Sequence, residues 1–232
     1  MLVSYRHNLI YIKRQKVAGT SIAMFLQKSC GLGDEITEPT HAIVNENGIV
    51  GFRGGKKDHN KNDTDEIWYN HIFAKDLRHE LDQLDPNIWP RSTKVAAIRN
   101  PFDQVVSHFY WWSRRRKLDI SEDFSVVKRA FTKFALNRNV QLTDPHMTID
   151  GENVIDHVIR FETLMGDLEA LCDKVGAPFD ADNMPVTKST AKQRKSIPVH
   201  EYFNKRTIDH MHKTKPWIFE QYGYADVPDG YE

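Results

Sequence analysis

Residues 11–22, Y-I-K-R-Q-K-V-A-G-T-S-I, carry the pattern that decides the fold. The apolar run at 9–12 is typical of a short buried strand, and a polar turn follows it. Gly19 then begins a helix in which apolar residues recur at helical spacing. A strand, a tight loop and a helix in this order bring Lys16 and the backbone N–H groups of the first helical turn around one point. The stretch therefore predicts an anion-binding site.

A second junction between a strand and a helix follows the run K-V-A-A-I at 94–98. This β-rich run ends at Arg99, and Asn100 and Pro101 are a good N-cap and a good first helical residue. The guanidinium of Arg99 suits bidentate binding of a phosphate. Ligands of such sheets bind at the carboxyl ends of the strands, so the two junctions together predict a ligand with two separated anionic groups.

Strands alternate with helices along the chain. The predicted strands cover 8–12, 94–98 and 154–161, with two short strands expected at 41–44 and 48–52. Helices are predicted from Gly19, at 73–84, after Pro101, at 124–136, at 164–175 and within 199–222. This order predicts an α/β fold of three layers, with a central, mostly parallel sheet flanked by helices. No linker interrupts the pattern, and residues 1–232 are expected to form a single domain.

The composition narrows the class of protein. The 32 basic and 32 acidic residues cancel, so a nucleic-acid partner is not expected. The two cysteines, Cys30 and Cys172, form neither a disulfide framework nor a zinc spacing, and no metal is expected. The sequence has no secretory signal and no apolar run of the roughly 20 residues that a membrane span needs. We expect a soluble, cytoplasmic protein.

The order of residues in the first loop disfavours a nucleotide-hydrolysing enzyme. A Walker A loop has Gly-Lys immediately before Ser or Thr. Here Lys16 precedes Gly19, and the sequence shows no clear partner for Mg²⁺. A nucleotide-dependent kinase is therefore the weaker hypothesis for this site.

Three segments resemble, in family order, the motifs of sulfotransferases that use PAPS (3′-phosphoadenosine 5′-phosphosulfate). K-V-A-G-T-S at 16–21 is similar to their 5′-phosphosulfate loop, which reads P-K-T-A-G-T-S in the carbohydrate branch. V-A-A-I-R-N-P-F-D-Q-V-V-S-H-F-Y-W at 95–111 resembles their 3′-phosphate motif, and I-R-F-E-T-L at 159–164 resembles a recurring R-F-E-D-L segment. Gln15 replaces a usual proline and Gln104 a common arginine. The resemblance implies a P-loop-like sulfotransferase fold.

The resemblance also implies ligands and roles. PAPS would be the sulfate donor, PAP its product, and a hydroxyl the acceptor, with a carbohydrate expected to carry it. Lys16 would stabilise the leaving nucleotide phosphate. The 5′-phosphosulfate would be held by Lys16, Val17, Ala18, Gly19, Thr20 and Ser21. The 3′-phosphate would be held by Arg99 and Ser107, and the C-terminal segment would cover the nucleotide with Lys188 and Arg194.

The transfer needs a base for the proton of the acceptor hydroxyl, and histidine suits neutral pH. The family's uronyl branch has a histidine between the first loop and the arginine motif, and His71 occupies a similar place. His71 is therefore the first candidate for the catalytic base. His41 is the second, and Glu38 or Glu66 are candidates if the base is a carboxylate.

Alternatives remain at several of these positions. Arg99 is also placed to pair with Asp103, and Lys188 and Arg194 also fit a solvated loop. The aromatic and basic segment 111–117 fits either a helix end or a cleft for acidic sugars. A module that binds PAP, PAPS or an anionic glycan without catalysis is the main alternative function.

Overall fold

The computed structural model describes residues 1–33, 36–54, 66–117, 123–139, 141–187, 194 and 196–232. The chain divides into two compact units. The first comprises Met1–Ile98 and Asp144–Thr187, and the second comprises Arg99–Thr143 and Lys188–Glu232. The prediction of a single domain stays a prediction.

The first unit is built on a mixed, six-stranded sheet. Its strands are β1 (Leu2–Ser4), β2 (Leu9–Ile12), β3 (Ile43–Asn45), β4 (Gly48–Val50), β5 (Thr93–Ile98) and β8 (His157–Arg160), and β6 (Thr148–Ile149) pairs separately with β7 (Glu152–Asn153). The order across the sheet is β3-β4-β1-β2-β5-β8. The predicted strands at 8–12, 94–98 and 154–161 are thus confirmed as the three neighbours β2, β5 and β8.

The prediction of a mostly parallel sheet is wrong. Only the pairings of β5 with β2 and with β8 are parallel, whereas β1 pairs antiparallel with β2 and β4, and β3 with β4. Residues 5–8 connect β1 to β2, and so short a connection reverses the chain, because a parallel neighbour needs a crossover of about a dozen residues. The hairpin between β3 and β4 extends the sheet in the same way.

The helices agree closely with the sequence pattern. They are α1 (Gly19–Phe25), α2 (Ala74–Leu84), α3 (Ile88–Arg91), α4 (Pro101–Arg115), α5 (Phe124–Leu136), α6 (Leu164–Val175), α7 (Lys205–Thr214) and α8 (Pro216–Tyr222). Short 3-10 turns cover Leu26–Cys30, Phe161–Thr163, Ala181–Asn183 and Val199–Tyr202. In the described ranges no helix is both long and apolar enough to cross a membrane.

Both faces of the sheet in the first unit are covered. Leu9 and Tyr11 belong to the apolar cluster that α1 and α6 complete on one face. Ile10 and Ile12 belong to the cluster that α2 and α3 complete on the other face. All four residues of β2 are buried, which explains why this strand has a continuous apolar run rather than an alternating one.

The second unit is helical and has an aromatic core. α4, α5, α7 and α8 provide its helices, and Phe131 of α5 packs edge-on against Phe109, Tyr202 and Phe203. The hydroxyls of Tyr110 and Tyr202 lie 2.8 Å apart inside this core. The unit thus satisfies its buried phenols internally.

Candidate functional site

The loop from β2 to α1 has left-handed backbone at two positions. The N-cap of α1 is Ala18, in the left-handed conformation at φ 59° and ψ 17°, and no side chain caps the helix. Lys16 is also left-handed, at φ 62°, and Val17 between them is fully buried. A left-handed residue followed by a helical one turns successive N–H groups to the same side, a known anion-binding arrangement. The backbone therefore supports the predicted anion site.

Gly19 lies too close to its neighbours for any side chain. A Cβ atom there would lie 2.8 Å from the carbonyl oxygen of Arg14, 3.0 Å from Cγ of Lys13 and 3.5 Å from the hydroxyl of Tyr11. Tyr11 is fully buried, and its hydroxyl has no hydrogen-bond partner among the described residues. The start of α1 thus packs directly on the end of β2.

Replacement of this glycine should open the loop. We expect Gly19→Ala to lower the free energy of unfolding by about 1 to 3 kcal/mol, because a backbone oxygen cannot move aside cheaply. Gly166→Ala in α6 is the matched control, since a Cβ there has nothing within 4 Å. The control should stabilise the protein by about 0.5 to 1 kcal/mol. Urea unfolding measures both, and equal effects in the two variants would contradict the close approach at Gly19.

A cluster of polar side chains lies where β2 ends; we call it the strand-end cluster, and it comprises Lys13, Thr20, Glu38, Asn70 and His71. Oε1 of Glu38 lies 2.9 Å from Nζ of Lys13 and also accepts from Thr20 Oγ1 at 3.3 Å and Asn70 Nδ2 at 3.4 Å. Lys13 is buried, so its charge depends on this carboxylate. The cluster joins the loop, Glu38 and His71 in one network.

His71 is held by a backbone carbonyl. Its Nδ1 lies 3.1 Å from the oxygen of Lys13, so Nδ1–H donates and Nε2 carries the lone pair. Burial, and then the nearby Lys13 charge, lower the pKa of His71 from 6.5 to about 3. The ring is therefore neutral at physiological pH, and its burial costs stability increasingly as the pH falls from 6.5 towards 3.

The other candidate bases lie in different settings. His41 and Glu66 contact each other at the surface, with 3.2 Å between Nδ1 and Oε1, and the His41 side chain is 76% exposed. Glu38, by contrast, belongs to the strand-end cluster. His71 and Glu38 are therefore the candidates that the structure joins through Lys13.

A second buried ion pair, which the sequence did not predict, lies beside the loop. Asp144 Oδ2 accepts from Arg14 Nε at 2.8 Å and lies 2.7 Å from Nη2, while Nη1 donates to the carbonyl of Ala97 at 2.8 Å. His146 Nδ1 contacts the other oxygen of Asp144 at 2.8 Å, and its ring packs edge-on against His71. Asp144 is distant in sequence and lies in no motif. The one signal available in the sequence was a charged residue, Arg14, close behind the predicted strand.

In the second unit, Arg99 and Arg194 share a carboxylate. Asp103 accepts from Nε of Arg99 with one oxygen and from Nη1 of Arg194, at 2.6 Å, with the other. Asn100 caps α4 by accepting from the N–H groups of residues 102 and 103, and Pro101 begins the helix, as predicted. Asp103 thus pairs with both guanidiniums at the start of α4. The alternative pairing of Arg99 with Asp103 is thus realised.

Three further residues were predicted to bind the nucleotide, namely Ser21, Ser107 and Lys188. The Ser21 hydroxyl lies 3.2 Å from that of Thr187, so it already has a partner in the first unit. Ser107 is buried on α4, one turn after Asp103. Lys188 lies outside the described residues.

The two tryptophans of α4 contact arginines at the C-terminal end of the helix, Arg115 in its last turn and Arg116 at its C-cap. The Cζ atom of Arg115 lies 5.5 Å from the ring centroid of Trp111, and that of Arg116 lies 5.3 Å from that of Trp112. These are cation–π contacts within one helix end. The interpretation of 111–117 as a helix end accounts for them without a sugar.

The candidate residues are distributed over both units. Lys16 to Ser21 and His71 belong to the first, and Arg99, Ser107 and Arg194 to the second. Within the described ranges no group of three or more His, Cys, Asp or Glu side chains is placed to hold a metal ion. The class defined by the structure is an α/β protein with a mixed six-stranded sheet flanked by helices. Neither a protein-family model nor a curated protein sequence matches the chain.

Proposed function

We propose that this protein is a sulfotransferase that moves a sulfuryl group from PAPS to an acceptor hydroxyl, with a carbohydrate as the expected acceptor, on a P-loop-like sulfotransferase fold. The loop from β2 to α1 carries the proposal. It combines left-handed backbone at Lys16 and Ala18, a helix start without a side-chain cap, and a position at Gly19 that only glycine fits. These features favour an anion held close to the backbone.

The residues of the loop fit a phosphosulfate group. The first N–H groups of α1 have no partners within the helix and suit its oxygens. The ammonium of Lys16 supplies the positive charge that these oxygens need. When bound, PAPS supplies an activated sulfuryl group whose leaving group is a nucleotide phosphate. Stabilisation of the charge that grows on such a leaving group is where preorganised donors contribute most.

The start of α4 supports binding of the 3′-phosphate. Arg99 and Arg194 are both within hydrogen-bond reach of Asp103, so a phosphate there would compete with one carboxylate for two guanidiniums. Its higher charge and additional oxygens favour the phosphate. The helix N-terminus adds further attraction for an anion.

His71 is the proposed base. The Lys13 carbonyl fixes the tautomer in which Nε2 accepts a proton. The low pKa keeps the ring unprotonated at neutral pH, and a bound anion would raise that pKa by attracting the charged form. Glu38 is the alternative base, because it lies in the same cluster.

Binding of PAP to the full chain tests the proposal. We expect isothermal titration to give a Kd below about 100 µM for PAP and at least about tenfold weaker binding for 5′-AMP, which lacks the 3′-phosphate. Radiolabelled PAPS with a panel of sugars then tests transfer. PAP binding without transfer to any acceptor would favour a non-catalytic binding module, and Mg²⁺-dependent ATP turnover would favour a kinase. A failure to bind PAP would overturn the proposal.

The choice of base is tested by two variants. We expect His71→Ala to lower kcat by about 10²-fold and to leave the Kd for PAP unchanged. This loss is at the low end of general-base effects, because a group with so low a pKa is a weak base. Glu38→Gln should lower kcat less. The reverse order of the two losses would make Glu38 the base, and His41→Ala, at an exposed position, is the control that should retain full activity.

A further inference from the structure

The second unit contains a cavity of about 750 Å³ between α4, α5 and the chain that follows α5. Its apolar walls include the rings of Phe109, Trp112 and Phe134. Amides of Asn137, Asn139 and Gln141 also line it. Small-molecule sites have volumes of roughly 300 to 1,000 Å³, mostly apolar walls and a few polar groups. The dimensions and the lining are those of a ligand site.

Among the described residues, the charges that line this cavity are all positive. Lys133 and Arg138 are among the lining residues, and none of the lining residues that the structure describes is acidic. Arg138 is half-buried, and burial lowers its pKa. Its Nη1 lies 3.0 Å from Nδ1 of His108, and its Cζ lies 5.7 Å from the ring centroid of Phe134. Because arginine only donates, Nδ1 of His108 accepts, and this contact places no negative charge beside Arg138.

No carboxylate compensates Arg138 among the residues that the structure describes. Its side-chain contacts there are an imidazole nitrogen and an aromatic face. A partly buried cation without a counter-charge is costly, and an anion in the cavity would remove that cost.

A second polar group in the wall, the hydroxyl of Ser113, has no hydrogen-bond partner among the described residues. Ser113 lines the cavity and is 1% exposed. Buried hydroxyls are nearly always hydrogen-bonded, so an unpaired one calls for an explanation. A ligand with polar atoms would provide a partner, which an apolar occupant would not.

We propose that this cavity binds a small organic carboxylate, with its apolar body against Phe109, Trp112 and Phe134 and its carboxylate paired with Arg138. A planar carboxylate matches the guanidinium fork. The half-buried guanidinium of Arg138 balances one negative charge, whereas Lys133 is exposed and solvated, so the second charge of a phosphate dianion would gain little. The site uses none of the residues proposed to hold PAPS, and it therefore goes beyond the proposed function.

The proposal is tested with 2-naphthoate and its neutral counterpart 2-naphthamide, by isothermal titration into the full chain. The two probes have the same aromatic body, so their difference reports the charge. We expect 2-naphthoate to bind below about 1 mM and at least about tenfold more tightly than the amide. No binding of either probe, or equal binding of both, would overturn the proposal.

Arg138→Gln and Arg129→Gln locate the site. Arg138→Gln should weaken 2-naphthoate about tenfold to 100-fold and leave the amide unchanged, because only the charged hydrogen bond is lost. Arg129 is exposed on α5, the helix that precedes Arg138, and does not line the cavity, so its variant should bind both probes normally. Thermal melting checks that both variants are folded. A preference for the acid that survives in folded Arg138→Gln would place the anion elsewhere and overturn the assignment.

Discussion

Lys16→Ala should lower the rate of sulfuryl transfer by about 10³-fold while the protein remains folded. The lysine lies in the left-handed part of the loop, two residues before the N-cap of α1. In the proposed reaction its charge opposes the negative charge that develops on the leaving phosphate, and alanine removes this charge without changing the helix. The loss should therefore appear mainly in kcat, with a smaller effect on the Kd for PAP.

Lys75→Ala is the matched control for this variant. Lys75 belongs to the same unit and pairs with Asp150 at 2.8 Å, but both side chains are largely exposed, at 68% and 74%. Its removal should leave kcat and PAP binding unchanged, because exposed pairs contribute little. Single-turnover transfer and PAP titration distinguish the two lysines. A Lys16→Ala protein with normal turnover would remove the loop from the catalytic site.

Asp144→Asn should lower the free energy of unfolding by about 3 to 5 kcal/mol, since it breaks the buried ion pair with Arg14. Arg14 also donates to Ala97 of β5, so the pair ties the end of β2 to its neighbour. Urea unfolding near pH 7 measures the loss. The matched control is Asp150→Asn, where the exposed pair with Lys75 predicts less than about 1 kcal/mol. Asp150 has a positive φ of 51°, which asparagine tolerates.

The same variant changes the dependence of stability on pH. Burial by itself would raise the pKa of Asp144, but Arg14 and the bonds from His146 outweigh it and hold the pKa well below 3.8. In acid the unfolded chain therefore binds a proton that the folded chain does not, and stability falls as the pH drops below about 4. The difference between wild type and Asp144→Asn should shrink in this range. A difference that stays constant down to pH about 2 would show that the charge of Asp144 does not matter.

Most helices and the three parallel strands were predictable because their signals are local. The apolar spacing at 124–136 and 164–175 defines α5 and α6 over the same residues that the structure shows. Asn100 and Pro101 mark the start of α4 through short-range hydrogen bonding and a fixed φ. β1 was not among the predicted strands, and its pairing direction was therefore not predicted either. It follows from the length of the connection at 5–8 and from the partners that β1 finds on both sides.

The candidate site was predictable in part. The loop that carries Lys16 and Gly19 was predictable because an apolar strand, a polar turn and a helix start follow one another within residues 11–22. The role of Lys13 was missed, because a lysine next to a strand end is ordinarily solvated. Its burial becomes visible only when Glu38, 25 residues further along, lies beside it. The pairing of Asp144 with Arg14 was missed for the same reason, because 130 residues separate the two in the sequence.

The sequence alone determined that residues 11–22 form a strand, a loop and a helix start, because periodicity, glycine and the helix dipole act over a few residues. Only the tertiary structure decided that Lys13 and Arg14 are buried and compensated, that His71 is neutral, and that Gly19 admits no side chain. The reason is physical. The free energy of a buried charge depends on its counter-charge and on its access to water. Residues distant in the chain supply the counter-charge and keep the water out.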